Sequence, residues 1–357
     1  MTQKRIMIAS GGTGGHFYPG LAVGRALKEQ DVEVLFLVRR KDPAIDVLTS
    51  YQLSYQEIDL IGFPRSINPI RHISFIIKLL KSLFHTHRLM KAFMPNAVFG
   101  TGGYLTFPLI CCAWCMHIPT ALHDSNSRLG LVNRICGHIV NLFLLGLPIN
   151  TPFKNTRLVS TPLRPEFAQP VNRTEVLSQL GLKPERATVL VMGGSQGARG
   201  LNNSLVYLVK NTPNFQFIHL TGTRWFETLK EQYANVSNVC VLPYSHEIYK
   251  LMKSADLTIC RSGAGTIAEL IACRLPAICV PFPHAAADHQ YHNALVLVNA
   301  GAAQVIREGD QLTDQLQQHL SQMTPQRLQR MQDNYAKVPV PNPLTATSTI
   351  VQLLLNL

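Results

Sequence analysis

Glycine-rich turns beside one histidine and one glutamate are the residues of this chain best suited to hold a phosphate and move a proton. The first turn, Gly11-Gly12-Thr13-Gly14-Gly15-His16, follows the apolar run 5–10 and precedes Pro19, which is placed to start a helix. Glycines let the backbone approach a ligand closely, and amides at a helix N-terminus favour an anion. The turn fails the dinucleotide pattern G-x-G-x-x-G, since Phe17 stands where the third glycine would fall, and it lacks the Lys-Ser/Thr ending of a P-loop. A second turn, Gly193-Gly194-Ser195-Gln196-Gly197-Ala198-Arg199, follows the run 187–192, and Ser195 suits either a helix cap or a phosphate oxygen. A third, Gly100-Thr101-Gly102-Gly103-Tyr104, ends another apolar run. Any one of these would pass as a structural turn, but two at corresponding places in two halves of a chain point to a ligand.

Arg261-Ser262-Gly263-Ala264-Gly265-Thr266-Ile267-Ala268-Glu269 leads from a strand into a helix. Glu269 fits two roles, completing a capping box or binding the hydroxyls of a ribose. Beyond Pro281-Phe282-Pro283, the side chains of His284, Asp288, His289, Gln290, His292 and Asn293 form a polar patch suited to sugar hydroxyls. No H-E-x-x-H and no D-x-D occurs, so a metal on a diphosphate has no obvious carboxylate pair. A leaving phosphate would then be stabilised by backbone amides and helix dipoles. His16, at the mouth of the first turn, is the leading candidate for a base near neutral pH, against the plainer reading of a histidine bonded only to backbone.

The elements that must position these groups alternate strand with helix, the signature of parallel sheets built from βαβ units. Strands are expected at 5–10, 32–38, 97–100, 119–124, 140–145, 187–192, 216–221, 239–244, 257–260 and 277–280, with helices at 19–30 and 345–355. At 357 residues the chain outgrows one hydrophobic core. A proline-rich polar stretch at 159–171 and a proline joint at 338–343 divide it into 1–161, 162–343 and a final helix, 344–357, expected to pack back on the first domain. In open sheets of this kind ligands bind outside the carboxyl ends of the strands, where the glycine turns fall.

Composition narrows the partners. The net charge of +12 calls for an anionic one, and the positive field is local: between Leu60 and His123 there is no Asp or Glu, while Arg65, Arg71, Lys78, Lys81, Arg88 and Lys91 are present. Within 70–93 the residues Ile73, Ile76, Ile77, Leu80 and Phe84 recur at helical spacing beside Lys78, Lys81 and Arg88, which predicts an amphipathic helix for an anionic membrane. A helix packed on its own sheet would show the same periodicity. The stretch 92–122 carries no charge, but its glycines and prolines break it up, so no transmembrane helix is expected. No signal peptide precedes the first strand, so the eight cysteines are expected to be reduced. Cys112, Cys115, Cys136 and His138 would make a zinc set by count, yet Cys111, Cys112 and Cys115 sit in an apolar segment where cysteine is a common core residue. Nucleic-acid binding rests on charge alone, without a reading motif.

Together, 11–16 with Pro19, 100–104, 193–199, 260–269 and His289-Gln290 with Asn293-Ala294 resemble the MurG family of glycosyltransferases, over nearly the whole chain. The resemblance implies a GT-B fold, two Rossmann-like α/β domains whose parallel sheets face a central cleft. It implies inverting transfer of N-acetylglucosamine from UDP-N-acetylglucosamine to the C4 hydroxyl of the N-acetylmuramyl group of lipid I, giving lipid II for peptidoglycan, without cofactor or metal. By position it assigns Thr13, Gly14, Gly15, Asn126, Arg164, Ser195, Gln196, Gln290 and Ala264 through Glu269 (Gly265, Thr266, Ile267, Ala268) to the donor, with Tyr244 and Ser245 at the uracil. Gly102, Gly103, Tyr104 and His123 fall to the acceptor and His16 to catalysis. The implied location is peripheral, on the cytoplasmic face of the bacterial inner membrane. Two departures stand out: His123-Asp124-Ser125-Asn126 where the family usually has His-Glu-Gln-Asn, and Ser160-Thr161-Pro162 where it usually has Gly-Asn-Pro. Another GT-B enzyme, such as a lipid glycosyltransferase or a nucleotide-sugar epimerase, would share the fold and much of the donor chemistry, and a non-enzymatic sensor would bind donor without releasing UDP.

Overall fold

Continuous apolar runs such as Ile6-Met7-Ile8-Ala9 leave no polar face for solvent, so their strands must be covered on both sides. The computed structural model describes residues 3–357 except Thr13, Ile61, Phe63, Arg65, Ser66, Ile67, Ser195 and Gln196. The chain forms two units, Met1–Arg164 with Val340–Leu357, and Pro165–Pro339. Unit 1 holds β1 (Arg5–Ala9), β2 (Glu33–Arg39), β3 (Ser54–Ile58), β4 (Ala97–Gly100), β5 (Thr120–Asp124), β6 (Leu142–Leu145) and β7 (Thr156–Leu158) in one parallel sheet, ordered β3-β2-β1-β4-β5-β6-β7. Ile6 pairs with Val34 on one side and Ala97 on the other. Side chains alternate between faces: Ile6 and Ile8 pack with Phe17, Leu21, Leu27 and Phe36, whereas Met7 and Ala9 pack with Leu37, Leu109, Ile110 and Phe143.

Unit 2 repeats the plan with β8 (Thr188–Met192), β9 (Gln216–Leu220), β10 (Val239–Leu242), β11 (Leu257–Cys260), β12 (Ala277–Cys279) and β13 (Ala303–Val305), all parallel, in the order β10-β9-β8-β11-β12-β13. In each sheet the order reverses beside the first strand, between β1 and β4 and between β8 and β11. The crossover helices leave opposite faces there, which opens a crevice at the strand ends. All three glycine turns and the Arg261 segment follow these four strands.

Strands β3, β7 and β13 lie outside the stretches expected from the sequence. All three are sheet edges, and Ser-Tyr-Gln-Glu-Ile, Thr-Arg-Leu and Ala-Gln-Val lack the apolar run of a strand paired on both sides. The helix expected from Pro19 begins earlier, spanning Gly14–Lys28 with Pro19 inside it. Proline cannot donate to the preceding turn, and the Ser10 hydroxyl donates to the carbonyls of His16 and Phe17 nearby (3.0 and 3.1 Å). Gly20 sits so close to Ser10 that a Cβ would stand 2.3 Å from its Oγ.

The last helix, Pro343–Leu355, starts with Asn342 as cap and lays Ile350, Val351 and Leu354 into the core shared by Leu21 and Leu27 of unit 1. The helix Pro69–Phe93 is capped by Asn68 and buries Ser82, Thr86 and Met90. Its apolar stripe faces outward: Ile73, Ile76, Ile77, Leu80 and Phe84 are all exposed, from 48% at Ile77 to 65% at Phe84. Among the described residues no helix is long and apolar enough to cross a membrane.

Candidate active site

In unit 1 the ends of β1, β4 and β5 meet around His16. Its Nδ1 lies 2.9 Å from the carbonyl oxygen of Thr101. A carbonyl only accepts, so Nδ1 carries the proton and the Nε2 lone pair is left for chemistry. The ring lies over Gly102, where φ is +96° and a Cβ would stand 3.0 Å from Cε1 and Nδ1, so only glycine fits. Gly103 lies beside the same ring, and Tyr104 is partly exposed. No atom comes within 4 Å of a Cβ built on Gly12 or Gly15, which leaves room beside the helix N-terminus. Asp42 fixes this loop: it accepts from the Gly12 amide (2.9 Å) and, through its other oxygen, from the Ala44 amide (3.1 Å). Thr13 lies outside the described residues.

His123 departs from the expectation of direct acceptor contact. It is 0% exposed, with Nε2 donating to the Ser160 carbonyl (3.0 Å) and Nδ1 3.4 Å from the Ser125 hydroxyl. Burial pushes its pKa down to about 4, so the ring is neutral at physiological pH and any influence on a ligand passes through its neighbours. Asp124 orders the following turn, accepting from the amides of Asn126 (3.0 Å) and Gly130 (3.1 Å) and from Asn133 Nδ2 (2.9 Å). Asn126 is thereby held half-buried at the end of β5, and Arg164 is half-buried at the end of the unit.

In unit 2 the first loop turns at Gly194 (φ +89°) and Gly197 (φ +73°), where a Cβ would stand 2.3 Å from the Thr221 carbonyl oxygen. Ser195 and Gln196 lie outside the described residues. After β11 the helix Ala264–Cys273 is capped by the Gly263 backbone without a side-chain bond, and no atom lies within 4 Å of a Cβ built on Gly263 or Gly265. The side chains of Ala264, Ile267 and Ala268 are buried, so they can meet a ligand only through their backbone. Glu269 is half-buried, six residues beyond the cap, whereas a capping box requires the third. The capping reading therefore fails.

Gln290 accepts from the Phe282 amide through Oε1 (2.9 Å), and buried Asn293 donates to the Ser262 carbonyl (3.1 Å). Ala287 and Asp288 both adopt left-handed conformations (φ 51° and 53°) just before Gln290, a local strain typical of ligand-binding segments. Tyr244 is exposed with its ring edge-on to His246, and Ser245 accepts from the Glu247 amide (3.2 Å). Among the described residues no three His, Cys, Asp or Glu side chains are grouped to hold a metal, and Cys112 and Cys136 are buried in the core.

Comparison with known proteins decides the family. Residues 6–143 match the glycosyltransferase family 28 N-terminal domain and 188–343 its C-terminal domain. A UDP-N-acetylglucosamine--N-acetylmuramyl-(pentapeptide) pyrophosphoryl-undecaprenol N-acetylglucosamine transferase from Elusimicrobium minutum is 45% identical over 97% of this chain and 98% of its own. The enzyme of that name from Carboxydothermus hydrogenoformans is 32% identical over 99% and 98%. The crystal structure of Acinetobacter baumannii MurG superposes with a TM-score of 0.83 at 27% identity, covering 99% of this chain and all of that one.

The chain belongs to the MurG family.

Against that family's usual pattern, the two departures of this chain meet in space. Ser125 and Ser160 approach the two nitrogens of His123, and a Cβ on Gly146 would touch both Thr161 Oγ1 (2.4 Å) and the Ser125 backbone (2.8 Å). Two of the replaced residues, Ser125 and Ser160, thus meet at one buried imidazole. Asp42, Asn133 and Glu308 were not singled out from the sequence, although they hold site backbone or side chains in place. A local signal existed only for Asp42, which precedes Pro43 as turn-forming aspartates do.

Proposed function

We propose that this protein transfers N-acetylglucosamine from UDP-N-acetylglucosamine to the C4 hydroxyl of lipid I, forming lipid II with inversion, at the cytoplasmic face of a bacterial inner membrane. The observation that carries the reading is the match to both family 28 domains, in a fold whose glycine turns all fall at the switch points of the two sheets. In this reaction the acceptor oxygen attacks the anomeric carbon and its proton passes to Nε2 of His16. The bond from that carbon to the UDP oxygen breaks, and UDP leaves with the electron pair. Amides at the start of the helix Ala264–Cys273 and the loop 193–198 are assigned to the diphosphate, Glu269 to the ribose, Gln290 to the sugar and Tyr244 with Ser245 to the uracil. Gly102, Gly103 and Tyr104 are assigned to the acceptor, and His123 to holding Ser160 and Ser125 behind it.

Membrane docking is assigned to the helix Pro69–Phe93, supported by its exposed stripe and basic flank. The deciding assay incubates the purified protein with labelled UDP-N-acetylglucosamine and a lipid I analogue in the presence of EDTA. Labelled lipid II and stoichiometric UDP are expected. UDP-dependent epimerisation of the sugar without transfer, or binding without turnover, would overturn the reading.

A further inference from the structure

Resting on the reading of unit 2 as the donor-binding unit, we infer that Glu308 is a positioning residue for the donor site, acting through Arg261 and the first turn of the helix Arg199–Asn211. Arg261 is the first residue after β11 and is almost fully buried. Its Nη1 donates to the carbonyls of Val280 (3.0 Å) and Pro281 (3.1 Å), at the end of β12, and its Nη2 lies 2.5 Å from Oε2 of Glu308, beyond β13. One guanidinium therefore ties together the ends of three neighbouring strands. A buried arginine needs such a carboxylate, because removing one partner leaves an uncompensated charge in low dielectric.

Glu308 has a second contact. Its carboxylate rests on Gly200, the second residue of the helix Arg199–Asn211, so closely that a Cβ there would stand 1.9 Å from Oε1 and 2.8 Å from Cδ. That helix has no acidic residue of its own in its first turn, and Glu308 supplies the negative charge its N-terminal dipole favours. At Gly200, in the first turn of the helix, the carboxylate occupies the space that a side chain would take.

Each segment joined by this pair leads into residues assigned to the donor. The helix Arg199–Asn211 follows the loop 193–198, Arg261 precedes Ala264 through Glu269, and Pro281 precedes Phe282, whose amide is held by Gln290. The guanidinium also lies 5.7 Å from the ring centre of Phe282. Glu308 thus sets the spacing of three ligand segments without being assigned to touch the donor, and an error of an ångström in such spacing is enough to cost affinity or rate.

The test compares Glu308→Gln, Arg261→Lys, Gly200→Ala and the double variant Arg261→Lys/Glu308→Gln with the unaltered protein, at a temperature well below every unfolding midpoint. UDP affinity is read by calorimetric titration, and KM for donor and for acceptor together with kcat by transfer assay. Glu308→Gln and Gly200→Ala should each weaken UDP binding and raise the donor KM by about tenfold, with acceptor KM unchanged and kcat at saturating donor within about threefold. Adding Arg261→Lys to Glu308→Gln should cost less than the product of the single effects, as for residues in one network. Gly200→Ala keeps both charged partners, so it decides the matter even if the arginine variant fails to fold. Lower unfolding midpoints with unchanged UDP affinity and donor KM would make the pair merely structural and overturn the inference alone. No UDP binding by the unaltered protein would overturn the donor assignment and the inference with it.

Discussion

The imidazole of His16 has one nitrogen committed to the Thr101 carbonyl, which fixes its tautomer and leaves the lone pair on the other nitrogen. That arrangement suits a base, and His16→Ala is expected to lower turnover by about 10²- to 10⁴-fold. UDP affinity should persist, because the nucleotide is assigned to unit 2. Turnover within a fewfold of the parent would remove His16 from the chemical step. For Glu269 the structure eliminates the capping role, leaving a half-buried carboxylate in the second turn of a helix that starts at the candidate donor loop. Losing a charge-assisted hydrogen bond costs about 1.5–3 kcal/mol, so Glu269→Ala should raise the donor KM by roughly 10- to 100-fold in a folded protein. Unchanged donor kinetics would show that this carboxylate does not meet the ribose.

Among the elements, the helix Pro69–Phe93 has two faces with different fates. Ser82, Thr86 and Met90 pack inward, and the five apolar residues of the stripe do not. A helix serving only its own sheet would bury that stripe, because each large apolar side chain removed from water stabilises by about 1.5–3 kcal/mol. The cations beside it are unequal. Lys78 is paired with Asp59 at 2.9 Å, whereas Arg88 stacks near the Phe84 ring at 5.8 Å. Since each cation near an anionic leaflet contributes about 1 kcal/mol, replacing Lys78, Lys81 and Arg88 with Glu should sharply reduce co-sedimentation with anionic vesicles. Transfer to a short-chain soluble acceptor should be unaffected. Vesicle binding indifferent to both the triple change and added salt would place the membrane contact elsewhere.

At the scale of the whole molecule, each unit encloses a neutral histidine, and the two respond to acid in the same direction. Burial pushes His123 down to about 4 and His219 down to about 3, the latter held by Asn202 (3.1 Å) and Tyr233 (3.3 Å). An unfolded histidine titrates near 6.5. Above that pH neither state is charged, so the stability term is zero. As pH falls through 6.5 the unfolded chain takes up a proton the folded one refuses, and stability is lost toward the folded pKa at about 1.4 kcal/mol per pH unit for each histidine. Urea unfolding between pH 7 and 5 should show this loss, and His123→Gln should remove one histidine's share from the transition of unit 1. Identical pH slopes for parent and variant would mean that His123 is not buried as a neutral ring.

The sequence by itself determined the sheet strands that are paired on both sides and the turns that end them, because burial on two faces writes an uninterrupted apolar run and a close backbone approach writes glycine. It thereby placed the three glycine turns at strand ends, His16 at the mouth of the first and Glu269 on the helix that follows β11. The tertiary structure alone decided which polar residues hold those turns in place. Asp42 reaches Gly12 across 30 residues, Asn133 meets Asp124, and Glu308 meets Arg261. Neither propensity nor local spacing encodes such pairs, since they form only when separate segments fold together. His123 illustrates the same limit. The family resemblance assigned it to the acceptor, but the Ser160 backbone, 37 residues away, closes over it and makes it part of the core. Edge strands β3, β7 and β13 were likewise decided by their partners, because a strand paired on one side needs no apolar run of its own.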